Sequence, residues 1–225
     1  MLPLLLAGFL AASSAPLPLL TARDTQDRAT LQKMTADALA TADLAPNNDG
    51  AQYYAALAAS YLAEVSLEVR DKKGAEDAAL KGIKAADRAV ALKPGYAPYY
   101  VVLGTLCGQV VPANVLMGLS YGKRAKDALE KAVALDPKLS SAYEARGVGN
   151  YYLPASFGGG YDLAITDFRK AIQLDPKNAE AYLWLGLSLR KQNKDAEARE
   201  AFAKALQLDP HRLWVKQQLD KTPVK

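Results

Sequence analysis

The sequence offers few residues of the types that perform chemistry. Its 225 residues include a single cysteine, Cys107, and a single histidine, His211. A structural zinc site takes about four cysteine or histidine ligands, and a cysteine nucleophile needs a base beside it. Cys107 falls at a core-facing helix position, which favours a buried hydrophobic role, and His211 directly follows Pro210, where a last helix is expected to begin. We therefore predict no catalytic residues, no metal and no cofactor.

Two other patterns resemble chemical motifs but do not complete them. The triplet Gly158-Gly159-Gly160 follows a helical pattern and lacks the Lys-Ser/Thr pair of a phosphate-binding loop. Charged neighbours such as Glu197 and Arg199 are typical of a solvated helix face.

The overall charge does not indicate nucleic acid as a partner. Lys and Arg number 28 against 24 Asp and Glu, so the net charge is +4, and the basic residues form no clustered stripe. The sequence predicts a protein that is not an enzyme.

A repeated segment organises most of the chain. Four stretches align with one another: Arg88–Pro94, Lys131–Pro137, Lys170–Pro176 and Lys204–Pro210. Their prolines are 43, 39 and 34 residues apart. A period of about 20–50 residues is typical of solenoids, in which each unit buries its apolar face against its neighbours.

The last repeat has a specific pattern of side chains. Tyr182 is followed by a leucine-glycine pair that ends at Gly186. Ala198 and Phe202 then supply a small and an aromatic residue, and Pro210 ends the unit. This pattern closely resembles the tetratricopeptide repeat (TPR), which has a period of about 34 residues. The resemblance implies that two helices cross closely at the small residues and that the aromatic side chains fill the space around them.

The expected fold is all-α, a right-handed α-solenoid of TPR helix pairs with about ten helices and a C-terminal capping helix. No run of alternating β-branched residues predicts a strand. One more amphipathic helix is predicted over residues 25–44. We expect a single domain over residues 23–225, with the repeats and the cap at approximately 51–94, 97–137, 140–176, 179–210 and 211–221.

The resemblance also implies a binding groove. In TPR proteins, the first helix of each repeat lines a concave face that receives the partner. The residues carried over to this groove are Thr105, Glu144, Val148, Tyr151, Tyr152, Leu183, Leu187, Arg190 and Lys191. The groove is expected to be apolar and rich in tyrosine, with a basic end. An alternative for the two tyrosines is that they pack against the insertion that follows them.

Two apolar insertions lie between the paired helices of the second and third repeats, over residues 108–118 and 151–160. They are predicted either to form a lip over a ligand or to pack back on their own repeats. The lip would consist of Val110, Leu116, Leu153 and Phe157. The stretch 152–158 is faintly similar to turns in the regulator of microtubule dynamics family and in TPR lipoproteins associated with tripartite periplasmic transporters, and no function is carried over from either.

The first 22 residues differ from the rest. They carry no charged side chain, and the run from Leu2 to Ala12 has the length of a secretory signal core. Cleavage could follow Ala15 or Ala22, and the alternatives are an uncleaved membrane anchor and a disordered cytoplasmic tail. We expect an exported protein, periplasmic or extracellular, with no membrane span in the mature domain.

Two hypotheses of function follow. The first is a non-enzymatic scaffold of the cell envelope that binds a protein or peptide segment in its concave groove. The second is a small-molecule-binding or transporter-auxiliary protein with an apolar pocket beneath the insertions. An enclosed cavity lined by Val110, Leu116, Phe157 and Tyr152 would favour the second hypothesis.

Overall fold

A computed structural model describes residues 16–114 and 117–224, except for the side chain at position 113. This part of the chain is all-α and contains no strand, as the sequence predicts. Its helices are α1 (Leu17–Asp24), α2 (Arg28–Leu44), α3 (Asp49–Glu68), α4 (Lys72–Leu92), α5 (Ala97–Ala113), α6 (Gly118–Leu135), α7 (Ser140–Tyr152), α8 (Tyr161–Leu174), α9 (Ala179–Lys191), α10 (Asp195–Leu208) and α11 (Leu213–Asp220).

The ends of the helices follow local chemistry. Four N-cap side chains accept a backbone N–H of the first turn: Asp27, Asn48, Asp71 and Asn178. Such caps satisfy donors that have no partner within the helix. Helices α4, α6, α8 and α10 each end two residues before a repeated proline. The residue before a proline is restricted to extended backbone, so the helix ends there.

The four predicted repeats are helix pairs, namely α3–α4, α5–α6, α7–α8 and α9–α10. Helices α1 and α2 form a further hairpin in front of them, and α11 packs on α10 as the cap. The sequence predicted α2 and α11 but not α1, which crosses the expected domain boundary at residues 22 and 23. Leu19 in α1 is fully buried and belongs to the same apolar cluster as residues of α3 to α6.

The small residues of the repeats lie where helices cross. A Cβ atom on Gly186 of α9 would stand 2.7 Å from Cε1 of Phe202 on α10. In the preceding pair, a Cβ on Gly147 would stand 2.6 Å from Cε1 of Phe168. Both phenylalanines are fully buried. The glycines therefore let an aromatic ring lie against the backbone of the paired helix.

The first insertion is mostly helical rather than a loop. Helix α5 continues to Ala113, and Val110 is fully buried in it. The side chain of Gln109 donates to the carbonyl of Ser60 on α3, at 3.0 Å. Leu116 lies outside the described residues. This part of the insertion is therefore helical, and Gln109 joins it to the preceding repeat.

The second insertion forms a short 3-10 helix, Ala155–Phe157. Gly158 follows with φ +82°, a left-handed conformation that favours glycine. Phe157 is 68% exposed, and Leu153 is half-buried. The two ends of the insertion are joined by the N–H of Gly160, which donates to the carbonyl of Asn150 at 2.9 Å.

The glycine positions give a test of this packing. Gly186→Ala is expected to lower the free energy of unfolding by about 1–3 kcal/mol, because the new methyl group meets the buried ring of Phe202. Gly122 lies inside α6, and a methyl group added there would meet nothing within 4 Å, so Gly122→Ala should raise stability by up to about 1 kcal/mol through helix propensity. Urea unfolding of both variants measures the difference, and equal effects would contradict the assigned crossing.

Candidate functional site

The concave face is the natural candidate for a site in this architecture. The first helices of successive pairs, α3, α5, α7 and α9, contact one another and form one wall. The start of α11 reaches α3 across this face, although 144 residues separate Glu68 from Arg212 in the sequence. The two ends of the described solenoid therefore meet.

Arg212 makes most of this connection. Its guanidinium is fully buried and lies against three carboxylates. Nε donates to Glu180 Oε1 of α9 at 2.9 Å, and a terminal nitrogen donates to Glu64 Oε1 of α3 at 2.5 Å. Both terminal nitrogens also donate to the carboxylate of Glu68. Burial lowers the pKa of Arg212, but the facing carboxylates outweigh it and raise that pKa well above its usual value.

Arg23, at the end of α1, is a second buried arginine on the same face. Its Nε donates to Asp24 Oδ1 at 2.8 Å, and a terminal nitrogen lies 3.4 Å from Glu180 Oε1. The same nitrogen is 3.7 Å from Asp209 Oδ2, just before the cap. Its guanidinium also stands 5.2 Å from the centre of the Tyr61 ring on α3. Arg23 thus joins the first hairpin to the last repeat.

Two glutamines add a neutral link beside the arginines. Gln26, in the turn after α1, donates through Nε2 to Glu68 Oε2 at 2.8 Å. Gln217 of α11 donates through Nε2 to Gln26 Oε1 at 3.2 Å. We call Arg23, Gln26, Arg212, Gln217 and their carboxylate partners the end-to-end cluster.

Acidic groups outnumber basic groups in this cluster. Five carboxylates face the two guanidinium groups: Asp24, Glu64, Glu68, Glu180 and Asp209. Burial, opposed by the charges of the two arginines, raises the pKa of the Glu64 carboxyl to about 8. The excess of carboxylates means that not all of these groups are ionised together near neutral pH.

Glu144, one of the predicted groove residues, lies beside this cluster on α7. Burial and the nearby charge of Glu180 raise its pKa to about 7. The side-chain amide of Asn178 donates to Glu144 Oε2 and to Ser140 Oγ, each at 3.0 Å. Glu144 therefore holds the cap residue of α9 in addition to facing the concave side.

A band of aromatic rings borders the cluster. The rings of Tyr151 and Tyr152 at the end of α7 lie 5.5 and 5.9 Å from Trp184 of α9, and Trp184 lies 5.5 Å from Trp214 of α11. These contacts are edge-on or tilted, which is the favourable geometry for aromatic pairs. The guanidinium of Arg212 stands 5.7 Å from the centre of the Trp214 ring. We call the four rings the aromatic band.

The predicted groove residues take different places. Leu183 and Leu187 are buried in the C-terminal core, and Arg190 donates to the carbonyl of Gln218 at 3.1 Å and so anchors the cap. Thr105, Val148 and Tyr151 are half-buried, Lys191 is exposed, and Tyr152 is 54% exposed. Within the set, Tyr152 and Lys191 offer the most accessible side chains.

The two buried arginines were not among the residues that the sequence predicted for a site. Arg212 stands in a stretch that predicts only the start of a cap, and Arg23 stands at the predicted domain boundary. No regular spacing in the sequence predicts that Arg212 contacts Glu64 and Glu68 on α3, or that Arg23 contacts Glu180 on α9. Their positions depend on the curvature that accumulates over four repeats, which a local pattern does not contain.

The raised pKa of Glu144 predicts an unusual pH dependence. The folded protein keeps this carboxyl protonated up to about pH 7, whereas the unfolded chain releases the proton near the ordinary pKa of 4.5. Stability is therefore highest at low pH within this window and is lost as the pH rises through the folded pKa. We expect the free energy of unfolding to fall by up to about 1.4 kcal/mol per pH unit from pH 5.5 to 7 on account of this group.

Urea unfolding at several pH values measures this slope. Glu144→Gln should make the slope less steep, since the amide does not titrate, while the raised pKa of Glu64 still contributes to it. Glu200→Gln removes an exposed carboxyl of α10 and should leave the slope unchanged. A slope that is the same in wild type and in Glu144→Gln would contradict the assignment.

Comparisons with known proteins bear on the fold. A tetratricopeptide-repeat family model matches residues 156–212. The solved structure of TTC0263, a TPR protein of Thermus thermophilus, is 20% identical with a TM-score of 0.63, and the match covers 91% of this chain and 96% of that chain. A search of curated proteins finds no significant match.

Two other structures are less similar. YrrB, described as a TPR protein with an unusual peptide-binding site, is 18% identical with a TM-score of 0.45, and the match covers 92% of each chain. MamA is 23% identical with a TM-score of 0.44 over 83% of this chain and 92% of that chain.

The matched segment contains part of the second insertion, the pair α9–α10 and the start of the cap. The same unit, two helices crossing at a small residue, precedes it along the described chain. Residues 156–212 therefore match a tetratricopeptide-repeat model, and the described chain has the fold of a solved TPR protein.

Proposed function

We propose that this protein is a non-enzymatic scaffold that binds a protein or peptide segment on its concave face, at the aromatic band. The observation that carries the proposal is the exposure of Tyr152, which is 54% accessible although it stands in a row of packed rings. Tyrosine and tryptophan are enriched among the residues that dominate binding energy, because they bury a large area with few rotatable bonds.

The rest of the concave face favours binding at this edge rather than along the whole groove. Arg23 and Arg212 fill the space between α3 and α9 with buried ion pairs. Leu183 and Leu187 are covered by the chain's own core. A partner that contains apolar residues could therefore pack on the aromatic band without displacing either arginine.

The alternative of a small-molecule pocket has less support. Val110 is fully buried inside α5, whereas Phe157 and Tyr152 face solvent. These three side chains therefore do not enclose one pocket. Among the described residues, a cavity that does occur lies among α2, α3 and α4, away from the insertions, and is lined by both apolar and charged side chains, such as Leu39 and Arg88.

We also propose that the protein is exported, and that the exported form keeps α1. In the described part of the chain, no helix has both the length and the apolar character required to cross a bilayer. A cut after Ala15 leaves α1 intact, as does an uncleaved anchor. A cut after Ala22 would remove Leu19, which is fully buried against the first repeats.

Selection of peptides from a displayed library tests the binding surface. Peptides enriched on the full-length protein should contain apolar residues, and Tyr152→Ala should weaken their binding at least about tenfold, as expected for an aromatic anchor. Leu119→Ala is the matched control, because Leu119 is exposed on α6, away from the aromatic band. A library that yields no binder, or binding that is lost in Leu119→Ala instead, would contradict the proposal.

The mass of the exported chain tests the second proposal. After expression of the full sequence in a bacterial host, intact mass spectrometry of the envelope fraction should show a chain that retains Leu19. A chain that begins at Arg23 would contradict it. A chain found only in the cytoplasm would contradict export itself.

A further inference from the structure

We infer that Arg212 is a clasp that holds the solenoid in a closed form, and that release of its contacts to α3 opens the concave face. The inference concerns a conformational state of the chain and does not depend on which partner binds. It rests on the geometry of the contacts that join the two ends.

The end-to-end contacts join helices that are far apart in the series of repeats. Each repeat of a solenoid packs mainly on its neighbours, so curvature is the sum of small rotations between repeats. In the described chain, α3 and α11 belong to opposite ends of this series. Arg212 nevertheless makes three hydrogen bonds to α3, one to Glu64 and two to Glu68. Such a contact fixes the total curvature rather than the packing of one repeat.

The contact between Arg212 and α3 is buried, and this burial sets the cost of breaking it. Arg212 and Glu68 are almost completely buried at their side chains, at 0% and 3% exposure. A buried ion pair from which one partner is removed leaves an uncompensated charge, which is unfavourable. Opening hydrates both groups together. The closed and open forms therefore differ mainly in the hydration of one polar cluster, while each repeat keeps its own core.

Not every contact of Arg212 belongs to the clasp. Arg212 also pairs with Glu180 on α9, which lies in the same half of the solenoid as the cap. This pair can persist in an open form and would keep α11 attached to the last repeat. The Gln26–Gln217 link and the ion pairs of Arg23 with Glu180 and Asp209 also cross between the ends, and they would break when the clasp opens.

The clasp therefore sets the width of the gap between α3 and the last repeat. With the clasp closed, the guanidinium groups of Arg23 and Arg212 are buried between α3 and α9. With it open, the carboxylates of α3 and the inner edge of the aromatic band face water. The chain then presents a wider groove than the closed form does.

Distance measurements between spin labels test the clasp in the full-length chain. Labels are placed at Lys33→Cys on α2 and Glu200→Cys on α10, both exposed, in a Cys107→Ala background. The pair excludes the cap, so it reports the opening of the solenoid and not the fraying of α11. We expect a single narrow distance distribution in this background and a longer, broader one when Arg212→Gln is added.

A second variant breaks the same contact from the other side. Glu68→Ala removes the clasp partner on α3 and leaves the cap sequence unchanged, and it should lengthen the distance as Arg212→Gln does. Arg199→Gln is the matched control, because the hydrogen bonds of Arg199 stay within the C-terminal part, to the carbonyls of Leu219 and Thr222. It should leave the distance unchanged. Circular dichroism confirms that each variant keeps its helices.

Three outcomes would overturn the inference. One is an unchanged distance in both Arg212→Gln and Glu68→Ala while helicity is retained. Another is a longer distance in Arg212→Gln alone, which would assign the effect to the cap. The third is an equal lengthening in Arg199→Gln, which would assign it to a general loss of charge.

Discussion

The buried guanidinium of Arg212 is the contact on which the shape of this molecule depends. It joins Glu64 and Glu68 at the beginning of the repeat series to Glu180 near its end. Local packing within each repeat leaves the total curvature adjustable, because small rotations between neighbours accumulate. A hydrogen-bonded group that reaches from one end to the other selects one curvature. The concave face is therefore closed by charge pairing rather than by apolar packing.

This arrangement changes what a concave face can offer to a partner. Several residues that the sequence predicted for the groove make contacts within the chain instead. Leu183 is buried in the core, Arg190 donates to the carbonyl of Gln218 in the cap, and Glu144 accepts a hydrogen bond from Asn178 at the start of α9. The accessible contact area moves to the edge, where Tyr152 and its neighbours form the aromatic band. Binding of a partner at the aromatic band and opening of the clasp are separate properties. Binding depends on Tyr152, whereas opening depends on Arg212.

The excess of carboxylates gives the same region its pH behaviour. Burial raises the pKa values of Glu64 and Glu144 to about 8 and about 7. Protons rather than additional cations therefore complete the charge balance of the end-to-end cluster near neutral pH.

The repeat, the helix pairs and the places where helices cross could all be predicted from the amino-acid sequence. Proline at the end of each unit stops a helix, and Gly186 opposite Phe202 sets a close crossing, because both effects act within one repeat. Three features emerge only in the folded chain: α1 joins the fold, α5 continues through the first insertion, and Arg212 meets Glu68. These features depend on rotations summed over several repeats and on contacts between distant residues, and no local pattern of side chains encodes them.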